Sequence, residues 1–196
     1  MKSLFSTLVI LLTIALGTVV AQQNGVTLMD KSTMQIDGTS TIHDWTADVE
    51  KMSVDLGFNA KALASDTLGN PVNSLSLSVP VESIESGKGG MNRKIYGALK
   101  KDDYPNITYE LSSADLADTS SDSLFQLNTT GMLNIAGVSK EVSFPVEGSM
   151  QEDGSYKFTG SYEINMKDYD VDPPSAVFGT IKSGELVTIS FEMFFK

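Results

Sequence analysis

The sequence predicts an all-β fold of about eight antiparallel strands with one short helix inserted midway. Two observations carry that reading. Apolar residues recur at every second position through most of the chain, the period of a strand with one buried face. One stretch, Gly89 to Lys101, repeats at helical spacing instead. The chain has 196 residues, 41% of them hydrophobic, enough for one domain with a substantial core.

The first segment departs from the strand pattern for another reason. It opens with Lys2, continues as an apolar run from Leu8 to Leu16, and ends in small residues at Val19-Val20-Ala21. That is the grammar of a secretory signal peptide cleaved after Ala21, and its apolar run falls short of the ~20 residues that span a bilayer. Residues 22–196 are then expected to form one exported domain, periplasmic or secreted, with no integral membrane segment after cleavage. Gln22 to Lys31 carries little periodicity and reads as a short leader strand or a loose end.

The strands follow in order. Trp45, Ala47 and Val49 share one parity, and Met52, Val54, Leu56 and Phe58 the other, so a turn or bulge is expected at Glu50-Lys51. Leu75, Leu77, Val79 and Val81 alternate with serines and with Pro80, which lacks an N–H and belongs at an edge or bulge. Met91, Ile95, Ala98 and Leu99 make one face of the helix, which must stop before Pro105. Ile107, Tyr109 and Leu111 resume the two-residue period, followed by Phe125, Leu127, Leu133 and Ile135. Val138, Val142, Phe144 and Val146 form the next strand, then Tyr156, Phe158, Tyr162, Ile164 and Met166. The last holds Val187, Ile189, Phe191, Met193 and Phe195. Turns are expected at Asp37-Gly38, Ala136-Gly137 and, most strongly, Asp153-Gly154.

One short helix cannot cover eight half-buried strands, so they close into a barrel or pack as a sandwich. A barrel of that size either fills with side chains or holds one small ligand. The inward parity proposes a lining of Leu56 and Phe58, Leu77, Val79 and Val81, the helix residues Ile95 and Leu99, then Tyr109, Phe144, Phe158, Tyr162, Ile189 and Phe191. The same residues would also serve as a packed core.

Composition narrows the chemistry. Lys plus Arg is 14 against 25 Asp plus Glu, a net charge of −11, which suits neither nucleic acid nor an anionic membrane surface. With no cysteine there is no disulfide, thiolate metal site or cysteine nucleophile. A single histidine, His43, rules out a His-pair metal site. No G-x-S-x-G elbow and no spaced carboxylate pair stands out, so no catalytic residue, metal ligand or cofactor is proposed. Asp168, Asp170 and Asp172 resemble a calcium loop, but Pro173 and Gly179 stand where Gly and Glu are needed. Ser86 to Gly90 lacks phosphate-loop spacing and reads as a flexible lead-in to the helix. His43-Asp44-Trp45 brings imidazole, carboxylate and indole together, so His43 and Trp45 are candidate contacts for a ligand head group at a barrel mouth. The final Phe194-Phe195-Lys196 could pair as an exposed strand between two subunits of a homodimer.

Several stretches together resemble the YceI-like family of polyisoprenoid- or lipid-binding exported proteins. They are Gly38-Thr39-Ser40-Thr41-Ile42-His43-Asp44-Trp45, Val79-Pro80-Val81-Glu82-Ser83-Ile84, and Ala98-Leu99-Lys100 through Tyr104-Pro105-Asn106-Ile107-Thr108-Tyr109. Gly131 to Lys140 follows, then Met166-Lys167-Asp168-Tyr169, Pro173-Pro174, Phe178-Gly179 and Gly184. Asn134 and Ser139 depart from the family's usual Thr. The resemblance implies a lipocalin-like antiparallel barrel with an elongated apolar cavity. It also implies a non-enzymatic protein that carries or sequesters an isoprenoid, a quinone tail or a fatty-acid-like lipid. The alternative is a structural or interaction domain with a filled core and no lipid.

Overall fold

A computed structural model describes residues 25–59, 62, 71–121, 124–176 and 178–196; the expected signal peptide lies outside them. The described residues are all-β and antiparallel, with one α-helix. In order come β1 (Gly25–Val26), β2 (Thr33–Ser40), β3 (Trp45–Val49), β4 (Ser53–Phe58), β5 (Val72–Pro80) and β6 (Ile84–Glu85). Helix α1 (Gly89–Ala98) follows, then β7 (Asn106–Ser121), β8 (Leu124–Ile135), β9 (Val138–Met150), β10 (Tyr156–Asn165), β11 (Ser175–Ala176) and β12 (Ile181–Phe195).

Neighbours in the sheet run β1-β4-β5-β7-β8-β9-β10-β12-β2-β3-β6, with β11 attached to β12. The strand count therefore exceeds the eight expected, and the sheet curls into a half-barrel instead of closing on itself. Three of the additional strands, β1, β6 and β11, are two residues long and leave no alternation to read. A fourth, β2, is masked in the sequence because Asp37-Gly38 reads as a turn, whereas both residues lie inside the strand and pair with Thr46 and Trp45. Gly38 is there for close approach: a Cβ on it would lie 2.3 Å from Cζ2 of Trp45.

The break in the barrel falls where the parity switches. Between β3 and β4 the chain turns at Glu50-Lys51 and leaves one edge of the sheet for the other, so these consecutive strands are not ladder neighbours. Two short segments brace this seam. At one end the first residues reach from β4, where Val26 pairs with Leu56, to the end of β12. There Thr27 and Lys196 exchange backbone hydrogen bonds of 2.8 and 3.0 Å. At the other end β6 pairs with β3, and Ser83 Oγ donates to Lys51 O at 2.9 Å.

Strand β12 is consequently an interior strand, held by β10 on one side and β2 on the other, with Phe195 buried. The expected pairing of Phe194–Lys196 between subunits has no free edge to use. Pro80 closes β5 opposite Asn106, past the last pairing of β5 with β4 at Ser53, where its missing N–H costs no ladder bond. The Ala136-Gly137 and Asp153-Gly154 turns form as expected. Ala136 and Gly137 both take positive φ (50° and 86°), the geometry that suits a tight hairpin between β8 and β9.

Helix α1 stands over one end of the half-barrel. It ends at Leu99 because Lys100 turns left-handed (φ 54°), letting Lys101 N–H bond back to Tyr96 O at 3.0 Å. Its docking is polar. Tyr96 Oη donates to Glu85 Oε1 (2.8 Å), Asn92 Nδ2 donates to Glu85 Oε2, and Ser86 Oγ donates to Asn92 Oδ1 (2.6 Å). Helix and β6 are thereby tied together.

Candidate functional site

The interior is arranged in layers, because every strand places alternate side chains inward about 6.6 Å apart. The floor is aromatic. Phe158 meets Phe58, Phe125 and Phe195 edge-on at centroid distances of 5.7, 5.9 and 5.8 Å, and Tyr156 closes on Phe58 at 4.5 Å. Edge-to-face pairs of this kind pack densely and hold their geometry. Here the barrel is filled.

Above the floor it is hollow. A deep chamber with about 1200 Å³ of atom-free space, its open part included, lies among Leu56, Leu77, Val79, Tyr109, Phe144, Phe158, Tyr162, Ile189 and Phe191. Along one wall Phe144 sits 5.8 Å from Tyr109, 5.3 Å from Tyr162 and 6.4 Å from Phe191, a row of rings that present faces and edges to the space. A second chamber, with about 640 Å³ of atom-free space, its open part included, lies under the helix, among Trp45, Ile95, Ala98, Leu99, Met166, Tyr169, Val171 and Pro174.

Six residues face both chambers: Ile36, Ile84, Ile107, Ile135, Ile164 and Ile189. All are isoleucines, one each from β2, β6, β7, β8, β10 and β12. Together they form a waist between the chambers. Branching at Cβ restricts χ1, so the waist is stiffer than leucine or methionine would make it. Neither chamber has a charged residue in its lining, and the side chains there are apolar apart from Thr129, Tyr109, Tyr162, Tyr169 and the indole N–H. Such a lining takes up hydrocarbon and rejects ions.

Sequence parity and structure diverge at three of the proposed residues. Phe58 is buried in the aromatic floor and does not line the hollow. Val81 is buried as well, but the chain leaves β5 at Pro80 and winds into a 3-10 turn (Val81–Ser83), carrying Val81 away from the chamber wall. His43 is exposed, its Nδ1 2.7 Å from Asp44 O, while its backbone is tied to Ser40 Oγ. It lies in neither lining, so the proposed head-group contact has no geometric support. Trp45 parts company with His43. Its indole lines the upper chamber and Nε1 donates to Thr39 O and to Ser183 Oγ, both at 3.0 Å. Ile95 and Leu99 line that same chamber.

The aspartate run near Asp170 forms part of the roof. A 3-10 turn (Met166–Tyr169) lays Tyr169 and Val171 inward, and Asp170 takes φ 51°. Lys167 Nζ donates to Asp172 Oδ1 at 2.5 Å, which holds the carboxyl below and the ammonium above their ordinary ranges. Burial pushes the Tyr169 hydroxyl up to about 12, with the Tyr162 and Asp168 charges adding to the shift. Among the described residues no cluster of His, Cys, Asp or Glu is placed to hold a metal ion, and no helix is long and apolar enough to cross a membrane.

The YceI-like domain family matches residues 27–195, which include every strand after β1. The chain belongs to the YceI-like family. Solved structures agree on the fold of this YceI-like chain. Burkholderia cenocepacia BcnA superposes with a TM-score of 0.66 at 19% identity, covering 84% of this chain and 96% of BcnA. A polyisoprenoid-binding domain from Saccharophagus degradans, implicated in plant cell wall breakdown, gives 0.61 at 12% identity and covers 88% and 97%. A Campylobacter jejuni YceI protein gives 0.59 at 15%, covering 76% and 84%. No curated protein matches the sequence.

Proposed function

We propose that this YceI-like protein is a non-enzymatic carrier or reservoir for a lipid with a single long apolar chain, an isoprenoid, a quinone tail or a fatty-acid-like molecule. We further propose that it works outside the cytoplasm, periplasmic or secreted, after removal of Met1–Ala21. The observation that carries the reading is the pair of adjoining chambers, which share the isoleucine waist and are lined without a charge. Each CH₂ taken from water into such a lining contributes about 0.8 kcal/mol, so a chain that fills both chambers binds firmly without any anchoring ion. The waist favours one chain over two, because a second chain would have to force stiff β-branched side chains apart. The Saccharophagus domain, named for polyisoprenoid binding, supports this ligand class.

Organic extraction of the purified protein followed by mass spectrometry tests the proposal. A near-stoichiometric single-chain lipid is the expected result. Protein that is reproducibly empty, and that takes up no added lipid, would favour a structural or interaction domain instead.

A further inference from the structure

The tip of the hairpin between β11 and β12 runs against the ordinary preferences of a folded chain. Phe178 and Gly179 take φ of 52° and 83°, two left-handed residues in a row, the backbone of a tight hairpin turn. The first of these positions ordinarily goes to Asn, Asp or Gly, because a bulky side chain is strained at positive φ. Here it holds a phenylalanine whose ring is 108% exposed, so the strain returns no packing to the fold. A second large apolar side chain stands on the neighbouring loop. Ile42 lies between β2 and β3 and is 61% exposed. Thr41 ties that loop to the hairpin: its N–H donates to Lys182 O (3.0 Å) and its Oγ1 accepts from Lys182 N–H (3.3 Å).

Both tips rise from the border of the upper chamber. Pro174, which lines that chamber, comes just before β11, and its carbonyl accepts from Ser183 N–H at 3.0 Å. Trp45 lines the chamber from the other loop, three residues after Ile42. Helix α1, over the same chamber, reaches the hairpin through Lys94 Nζ, which donates to Ser175 O.

We propose that Phe178 and Ile42 insert into the surface of a zwitterionic lipid bilayer and seat the upper chamber against it. The purpose of this docking, passage of lipid between bilayer and hollow, rests on the carrier reading; the docking itself does not. Area argues for a bilayer over a protein. Two side chains on loop tips offer roughly 300 Å², most of it from the ring, against about 800 Å² per partner in a stable protein interface. A fluid bilayer needs no matching surface, so each side chain enters by itself. Charge decides which bilayer. The net charge of −11 opposes an anionic surface, so the apolar tips must supply the attraction. At the tips Lys182 is exposed and in no ion pair among the described residues, and its ammonium suits a headgroup phosphate; Asp44, on the loop of Ile42, is exposed beside it in sequence and suits the choline.

The test is flotation of the full-length mature protein with phosphatidylcholine vesicles, wild type against Phe178→Asn. Asn adopts positive φ more readily than Phe, so the urea midpoint of the variant should be no lower than that of the wild type. The wild type is expected to float. The variant should lose about tenfold in vesicle partition, the low end of what burying a phenylalanine ring is worth, and Ile42→Ser about threefold. Uptake of undecan-2-one from buffer without vesicles should be equal in the wild type and Phe178→Asn. A wild type that does not float, or that floats no better than Phe178→Asn, overturns the docking. Self-association instead of flotation, abolished by Phe178→Asn, also overturns it and assigns the tip to a second copy of this chain. Failure of both proteins to take up the ketone overturns the carrier reading, while flotation still decides the docking.

Discussion

Replacing Ile189 by Phe at the waist should shorten the chain that the protein can hold. Ile189 faces both chambers from β12, and a phenyl ring there projects into vacant space. Confined to the deep chamber, the ligand would lose whatever part of its chain lies in the upper chamber. Four methylenes kept out of that space cost about 3 kcal/mol at 0.8 kcal/mol each, roughly a 200-fold loss of affinity. The assay is calorimetric titration of both proteins with a homologous series of straight-chain methyl ketones. In the wild type, affinity should rise by about fourfold per added carbon until both chambers are full. In Ile189→Phe the rise should stop at a shorter length, while short members bind both proteins alike. The substitution should also leave stability within about 1 kcal/mol, whereas forcing a ring into a packed interior costs about 1–3 kcal/mol. A series that levels off at the same length in both proteins would refute the two-chamber reasoning. A large loss of stability would show that the hollow is not there.

Further outcomes follow from the roof and the seam. Leu99→Asp places a carboxylate in the upper chamber at the end of α1, so lipid retention should fall while circular dichroism is unchanged; undiminished co-purifying lipid would count against a covering role for the helix. Tyr169 is 3% exposed and its hydroxyl is raised from 10.0 to about 12, so its contribution is intact below pH 10 and is lost as pH climbs through that interval. Urea unfolding should therefore show a fall of about 2–3 kcal/mol across this range, reduced in Tyr169→Phe. Gly38→Ala drives a methyl into the indole of Trp45, the one tryptophan, and should cost about 1–3 kcal/mol with a red shift of fluorescence. An unshifted spectrum would mean that the indole does not lie over Gly38.

The sequence reveals what depends on one strand and conceals what depends on several. Alternation at Leu77 and Val79, or at Ile189 and Phe191, follows from a single strand's polarity, and those residues do lie around the hollow. Val81 continues the same parity but leaves the wall, because the turn after Pro80 is set by bonds from elsewhere: Val81 N–H to Pro105 O, and Ser83 Oγ to Lys51 O. In β2 only Met34 and Ile36 precede Gly38, too few apolar positions to outweigh a turn-like Asp-Gly pair. The waist draws one isoleucine from each of six strands. Their common level is fixed by ladder register such as Ile36↔Ile189, which no single strand records.

The brace between the two ends of the fold also governs when the protein can form. Ser32 Oγ donates to Phe194 O across 162 positions of sequence, beside the Thr27–Lys196 pair. Contacts this distant make for slow folding, since the entropy of a long loop is lost before the pairing returns anything. The floor and the brace cannot form until β12 has joined the sheet, so the hollow stays unsealed until late in folding. Removing Phe194–Lys196 should accordingly do more harm than cutting an exposed loop tip.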